Sequence, residues 1–419
     1  MYSLVDCNSF YCSCERLFQP KFKQSPVVVL SNNDGCAISR TDEAKALGIT
    51  MGTPGFMLEQ YKRQNGLIVF SSNYALYQDM SDRVMSTLSG MVKDIEVYSI
   101  DEAFLDISGY TYHNLFEFGK EIRQQVLMHT GIPVGVGIAA TKTLAKMANR
   151  YAKKQHKHIG VYNATTEESI QQMMQDTPVE DIWGIGSQRA KLLLKHNIKT
   201  AADLVKVSEE WIRKHMNVTG LRLLKELKGI ACIEWEPDAQ SKQGICTGRS
   251  FGTIITEKKF IDQAVADYTE NCARKLRKQG SCTSRIQVFL QTNPHRVQDQ
   301  QYFRSATIKI PVATSDTAKL LKYAQHALNI IYRHGYNYQR AGVLIDSFVS
   351  DNNVQLGMFS TPDSENSKKM SQVYDALNSH YGKGTVRFAR QGFEKPYALR
   401  AQNLSPRYTT RLSDIIKAK

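Results

Sequence analysis

Three carboxylates in two short, strand-like segments are the residues of this chain best suited to chemistry. Asp6 lies in Leu4-Val5-Asp6-Cys7-Asn8-Ser9-Phe10-Tyr11, and Asp101 with Glu102 in Tyr98-Ser99-Ile100-Asp101-Glu102-Ala103-Phe104. A carboxylate in apolar sequence is costly to bury unless a cation compensates it. Acids gathered from distant segments supply the hard oxygen ligands with which divalent metals hold a triphosphate and an attacking hydroxyl. The pattern predicts a two-metal phosphoryl-transfer site, with solvated loop acids as the alternative. A third motif tips the balance. Val134-Gly135-Val136-Gly137-Ile138-Ala139 reads as a small-residue strand entering a helix that Thr141 can cap, and Lys142, Lys146 and Lys153 follow. At about 100° per residue these lysines fall within roughly 40° of one another. Such a stripe is commonly a solvated face. Beside a metal and carboxylate site it is a candidate for neutralising phosphate.

These side chains need elements that aim them. Successive strand residues face opposite sides of a sheet, so Asp101 and Glu102 cannot serve one site from a straight strand. The sequence predicts a hairpin, with Ile95 and Val97 leading in, Ser99 to Glu102 at the tip, Ala103 to Ile107 leading out, and a partner strand carrying Asp6. Further on, Asn163 to Met174 opens a helical region that ends near Thr177-Pro178. Ile182-Trp183-Gly184-Ile185-Gly186, Arg189 to Leu194 and Asn197-Ile198-Lys199-Thr200 then resemble a helix-hairpin-helix, whose exposed backbone N–H groups bind DNA phosphates without reading sequence. After linker-like residues 236–244 the order of elements is β-α-β-β-α-β: strands at 248–253, 285–290, 307–310 and 343–349, helices at 260–278 and 317–333. That order predicts a split βαβ domain.

Charge and composition bound the function. The chain has 419 residues and a net charge of +14, distributed unevenly. Residues 1–165 carry 17 basic against 15 acidic side chains, 166–235 carry 10 against 10, 245–350 carry 15 against 7, and 351–419 carry 11 against 6. A near-neutral catalytic half joined to a basic segment fits a protein that does chemistry in one part and tracks a polyanion with another. No apolar run approaches a membrane span and no signal core opens the chain, so a cytosolic, nucleoid-associated protein is expected, with no membrane partner. The eight cysteines lack CxxC pairs, so reduced thiols and no zinc site are expected. Gln355-Leu356-Gly357-Met358-Phe359 is a short apolar plug in polar surroundings and is similar to a sliding-clamp-binding peptide.

Asp6 with Phe10-Tyr11, Ser99 to Ala103, Gly135 to Lys146 and the Trp183 hairpin together resemble the Y-family translesion DNA polymerases. Val28 to Cys36, Glu43 to Gly48, Phe70 to Tyr74 and Leu404 to Arg411 extend the resemblance to the UmuC branch, across essentially the whole chain. The resemblance implies an α+β multidomain right-hand polymerase. Its palm would be 1–20 and 75–165, its small fingers 21–74, its helical thumb with the helix-hairpin-helix 166–235, its split-βαβ little finger 245–350, and its C-terminal partner-binding tail 351–419. It further implies two Mg²⁺ held by Asp6, Asp101, Glu102 and the Cys7 carbonyl, Tyr11 as a steric gate against ribonucleotides beside Phe10, and Lys45 and Lys153 on the dNTP triphosphate. Gly184, Gly186, Lys142, Lys146 and Arg249 are the expected contacts to primer-template DNA. The implied partners are a sliding clamp, a cleaved UmuD-like dimer and a RecA filament, and the implied role is error-prone synthesis in the SOS response. Two positions depart from the wider family: Asp42 stands where Tyr is frequent, and Lys45 where Arg is frequent. Lys cannot make the planar two-point contact of Arg, which puts the details of triphosphate grip in question. A non-catalytic DNA-binding or assembly subunit that keeps the fold is the second reading.

Overall fold

The apolar run around Asp6 forms the central strand of a sheet in the computed structural model, which describes all residues except 111–113, 237–240, 357–361 and 417–419. The chain divides into two units, Met1–Ala239 with Gln402–Lys419, and Gln240–Ala401. The first unit opens with β1 (Tyr2–Cys7), α1 (Phe10–Leu17), β2 (Val27–Leu30), β3 (Ala37–Arg40), α2 (Asp42–Ala46), α3 (Glu59–Asn65), β4 (Ile68–Ser71) and α4 (Tyr74–Met91). It continues with β5 (Ile95–Val97), β6 (Glu102–Asp106), α5 (Leu115–Thr130), β7 (Val134–Ala139), α6 (Lys142–Gln155) and β8 (Val161–Ala164). The helices α7 (Glu167–Asp176), α8 (Ser187–Lys195), α9 (Ala201–Val205) and α10 (Glu209–Leu227) complete it.

Five strands pair in the order β5-β6-β1-β7-β8. Strand alternation sends Val5, Leu105, Val136 and Ile138 to one face, where α4 and α5 cover them, and Leu4, Phe104 and Ala139 to the other, under α6. The small-residue character of β7 has a direct cause. A Cβ on Gly137 would sit 2.0 Å from the Asn149 backbone nitrogen, so only glycine lets α6 lie this close to the sheet. Thr141 caps α6 by accepting from the Leu144 N–H at 3.2 Å. A second, three-stranded sheet, β3-β2-β4, has its own core of Val28, Leu30, Ala37, Leu58 and Val69.

One local expectation is corrected. Residues 161–164 form β8, a strand paired in parallel with β7 that buries Val161 and Ala164, and α7 starts only at Glu167 behind the Thr166 capping box. The glycine hairpin joins a 3₁₀ turn (Val179–Asp181) to α8, and a second turn through Asn197, at φ 58°, leads to α9.

The second unit contains β9 (Gly244–Ile255), α11 (Lys258–Lys278), β10 (Ser281–Thr292), β11 (Phe303–Thr314), α12 (Thr317–Ile331), β12 (Tyr338–Ser350) and α13 (Glu365–His380). Its strands lie in the order β11-β10-β12-β9, every neighbour antiparallel, so β9 and β10 run parallel with β12 between them. This is the expected split βαβ. The helix α13 is held to α11 by a two-point ion pair, Arg277 Nε and Nη2 donating to Asp375 at 2.7 and 2.8 Å. Arg249 is exposed on β9. It follows Ile245 and Thr247 on the helix-facing side of β9 and lines a cavity of about 430 Å³ with α11 and α13 residues, whereas Arg285 and Gln287 lie on the open face of the sheet. Two-residue periodicity puts it on the other face of the sheet from Arg285 and Gln287.

Candidate active site

In the antiparallel register of β1 and β6, Asp6 stands opposite Glu102, and the Cys7 N–H donates to the Asp101 carbonyl at 2.8 Å. Asp6, remote in sequence from Asp101 and Glu102, therefore occupies a neighbouring backbone position. Ser99 shapes the tip that carries two of them. Its hydroxyl donates to Asp101 Oδ1 at 2.6 Å and accepts from the Asp101 and Glu102 N–H groups at 3.3 and 3.1 Å. Asp6 and Glu102 share the α6 face of the sheet. There Lys153 Nζ lies 2.6 Å from Asp6 Oδ1 and Lys146 Nζ 3.0 Å from Glu102 Oε2. Gly135, paired with Asp6 across β1 and β7, makes the first contact feasible, because a Cβ there would come within 2.8 Å of Lys153 Cε.

Burial raises the Asp6 carboxyl above its ordinary value; Lys153 opposes the rise and Glu102 adds to it. The Cys7 side chain takes the opposite face, in the core under α4 and α5, and burial pushes its thiol up. Among the described residues no three Asp, Glu, His or Cys side chains already stand at metal-ligand spacing. Asp6 and Glu102 turn to lysines, and Asp101 to Ser99. The donor chemistry nevertheless fits Mg²⁺: hard carboxylate oxygens on adjacent strands, with no imidazole or thiolate among them.

Tyr11 lies in the first turn of α1, five residues after Asp6. Its ring is half-buried, stacked on Tyr77 of α4 with centroids 4.5 Å apart, and met edge-on by Tyr74 at 6.1 Å. Phe10 is buried beside it. Lys45 donates to Asp42 Oδ1 at 2.9 Å and to the Ser9 hydroxyl at 3.4 Å. Asp42 also receives Lys157 at 2.6 Å, and these two lysines hold its carboxyl below the ordinary value, Lys157 most strongly. The residue that departs from the family pattern thus gathers two cations. Lys157 was missed by sequence reasoning because it lies beyond the end of α6 at Gln155, in a turn that helical periodicity does not describe.

Lys146 packs over Tyr98 and Trp183, 4.5 and 5.2 Å from their ring centroids, which brings the tryptophan of the glycine hairpin beside the hairpin that bears the acids. Gly184 and Gly186 are exposed. Lys142 contradicts its expected DNA contact. It is 1% exposed, its ammonium 2.6 Å from both Glu96 Oε2 and the Glu234 carbonyl. A shared helical face gave it the direction of the other lysines, but at this end of α6 that face is covered.

The family model for the impB/mucB/samB family matches residues 5–150, and its C-terminal-domain model matches 242–358. Protein UmuC of Salmonella typhimurium is 44% identical over 100% of both chains. The chain belongs to the impB/mucB/samB family. Within this UmuC branch of the Y-family polymerases, Protein ImpB of Salmonella typhimurium is 41% identical, again over 100% of both chains. DNA polymerase IV of Desulfatibacillum aliphaticivorans is 26% identical over 91% of this chain and 94% of its own. Among solved structures, a Y-family DNA polymerase chimera matches with a TM-score of 0.66 at 22% identity, covering 83% of this chain and 99% of the chimera. DinB from Sulfolobus solfataricus matches at 0.53 and 24% over 82% and 98%. The fold is that of the Y-family polymerases. Residues 368–418 match a domain of unknown function.

Proposed function

We infer that this protein is a template-directed DNA polymerase of the translesion class, joining a dNTP to a primer 3′-hydroxyl. The observation that carries the reading is the register of Asp6 against Glu102, with Asp101 bonded through its backbone to Cys7 and two lysines of α6 on the carboxylates. In the reaction the 3′-oxygen bonds to the α-phosphorus, the bond to the β-phosphate breaks, and pyrophosphate leaves. Two Mg²⁺ held by Asp6, Asp101, Glu102 and the Cys7 carbonyl would activate the hydroxyl and neutralise charge on the transferring phosphoryl group. Lys153 is built to exchange Asp6 for a phosphate oxygen when nucleotide enters, and Lys45, beside Ser9, to meet the same triphosphate. The ring of Tyr11, stacked on Tyr77, would lie under the sugar and meet a 2′-hydroxyl.

On this reading the five-stranded sheet is the palm, the three-stranded sheet the fingers, α7 to α10 the thumb and the βαββαβ unit the little finger, which tracks primer-template DNA. The hairpin at Gly184 and Gly186 would meet DNA phosphate through its exposed backbone. A sliding clamp, a cleaved UmuD-like dimer and a RecA filament are the proposed protein partners in SOS mutagenesis. The clamp-like plug at 355–359 lies largely outside the described residues. Primer extension on damaged and undamaged templates tests the enzyme. Asp101→Ala is expected to lower kcat by at least roughly a thousandfold with primer-template binding retained. Extension that survives this change would leave the non-catalytic assembly role as the better account.

A further inference from the structure

The far C-terminal segment is built into the wall behind Tyr11. The Gln402 N–H donates to Asp34 Oδ2 at 2.9 Å, and Asn403 exchanges two bonds with Ser71, its N–H to the hydroxyl at 3.0 Å and the Ser71 N–H to its carbonyl at 2.9 Å. Asn73, the cap of α4, donates from Nδ2 to the Ser405 hydroxyl at 2.9 Å and to the Ser405 and Pro406 carbonyls, both at 3.1 Å. Tyr408 stacks on Phe18 at the end of α1, with centroids 4.7 Å apart. The deepest contact is made by Ser405. Its hydroxyl donates at 3.0 Å to Glu15 Oε1, the same oxygen that accepts the Tyr77 phenol at 2.7 Å.

Glu15 and Tyr77 are fully buried, and among the described residues Glu15 Oε2 has no hydrogen-bond partner. A carboxyl group so placed depends on the few donors it has. Glu15 is four residues beyond Tyr11 on α1, one turn along the same face, and Tyr77 links the two, its hydroxyl on Glu15 and its ring flat against Tyr11 at an interplanar angle of 19°. We propose that residues 402–408 are a strap that fixes the orientation of Tyr77, and through it Tyr11, so that Ser405, Asn73 and Glu15 are positioning residues for discrimination between deoxyribose and ribose. The proposal rests on the reading of Tyr11 as the sugar gate. It gives part of the domain of unknown function a task inside the polymerase core.

The test is the ratio of kcat/KM for a dNTP to that for the matching rNTP, measured with the full-length chain and its variants. Tyr11→Ala is the reference and is expected to collapse the ratio. Ser405→Ala and Tyr77→Phe each remove one bond to Glu15 while keeping the fold's apolar packing, and each should lower the ratio roughly three- to tenfold, the effect of one hydrogen bond, with dNTP use held within about threefold. Glu15→Gln keeps an acceptor of the same shape and should keep the ratio. Neither strap change should add to Tyr11→Ala in the double variant. If Tyr11→Ala relaxes the ratio and Tyr77→Phe and Ser405→Ala leave it intact, the strap is overturned and the gate stands. If Tyr11→Ala itself leaves the ratio intact, the gate reading falls and the strap with it. Should Ser405→Ala fail to fold, Tyr408→Leu, which removes the strap's stacking on Phe18, decides in its place.

Discussion

The two ends of α6 present lysines on one helical face in opposite circumstances. At the start, Lys142 is sealed against Glu96 and the Glu234 carbonyl, with the Phe104 and Trp235 rings 5.5 and 5.2 Å from its ammonium. At the end, Lys153 reaches past Gly135 to Asp6 with about 30% of its side chain still open to solvent. The first pair cannot be exchanged without unpacking the core. The second can trade a carboxylate for a phosphate. Helical periodicity determines which way a side chain points; what covers that direction comes from segments far away in sequence, here residues 234–236, whose Glu236 N–H also donates to Glu96.

The largest effect should come from the sealed end. Lys142→Met removes one partner of a buried pair and leaves Glu96 uncompensated, which costs on the order of 3–5 kcal/mol. The measurement is denaturant unfolding, with the salt dependence of DNA affinity beside it. The slope of log K against log salt should be unchanged, whereas loss of a phosphate contact would reduce it by about one. Restoring balance with Glu96→Gln in the same chain should recover part of the lost stability.

A second buried acid, without a cation, sharpens the contrast. Burial pushes Glu15 from an ordinary 4.5 up to about 7, against the bonds from Tyr77 and Ser405. Because the folded chain holds this proton more tightly than the unfolded one, the group's contribution is full below about pH 4.5 and is lost as pH rises to about 7, roughly 3 kcal/mol in all. Glu15→Gln should therefore match the parent at pH 4 and exceed it in stability at pH 8. Parallel curves for the two proteins across that window would mean that Glu15 is not held protonated in the fold.

How far the sequence was legible follows the same division. The acids, the hairpin tip, the Thr141 cap and the βαββαβ order were readable because each rests on local pattern: alternation, turn residues, capping spacing. The strand β8 was not, since four residues, Val161–Ala164, become a strand only by pairing with β7 across an intervening helix. The face of the sheet that Arg249 takes was not legible either, because net charge over a segment does not report it. The bond from Asn73 to Ser405 spans 332 positions, and no periodicity or motif reports a contact of that kind.

The smallest effect on stability should come from the open end of α6. Lys153→Ala breaks an ion pair that water already reaches, and burial favours the protonated form of Asp6, so the acid left behind has a neutral state available to it. Unfolding should shift by less than about 1 kcal/mol. The change belongs instead in nucleotide binding, with KM for dNTP rising roughly tenfold and kcat falling less. Lys142→Met, assayed at a temperature where it remains folded, should leave KM near the parental value. A Lys153→Ala protein destabilised as much as Lys142→Met, with KM unmoved, would show that both lysines serve only the fold, and the triphosphate would then have to be held from α2 by Lys45 and by Lys157, the two cations that Asp42 keeps together.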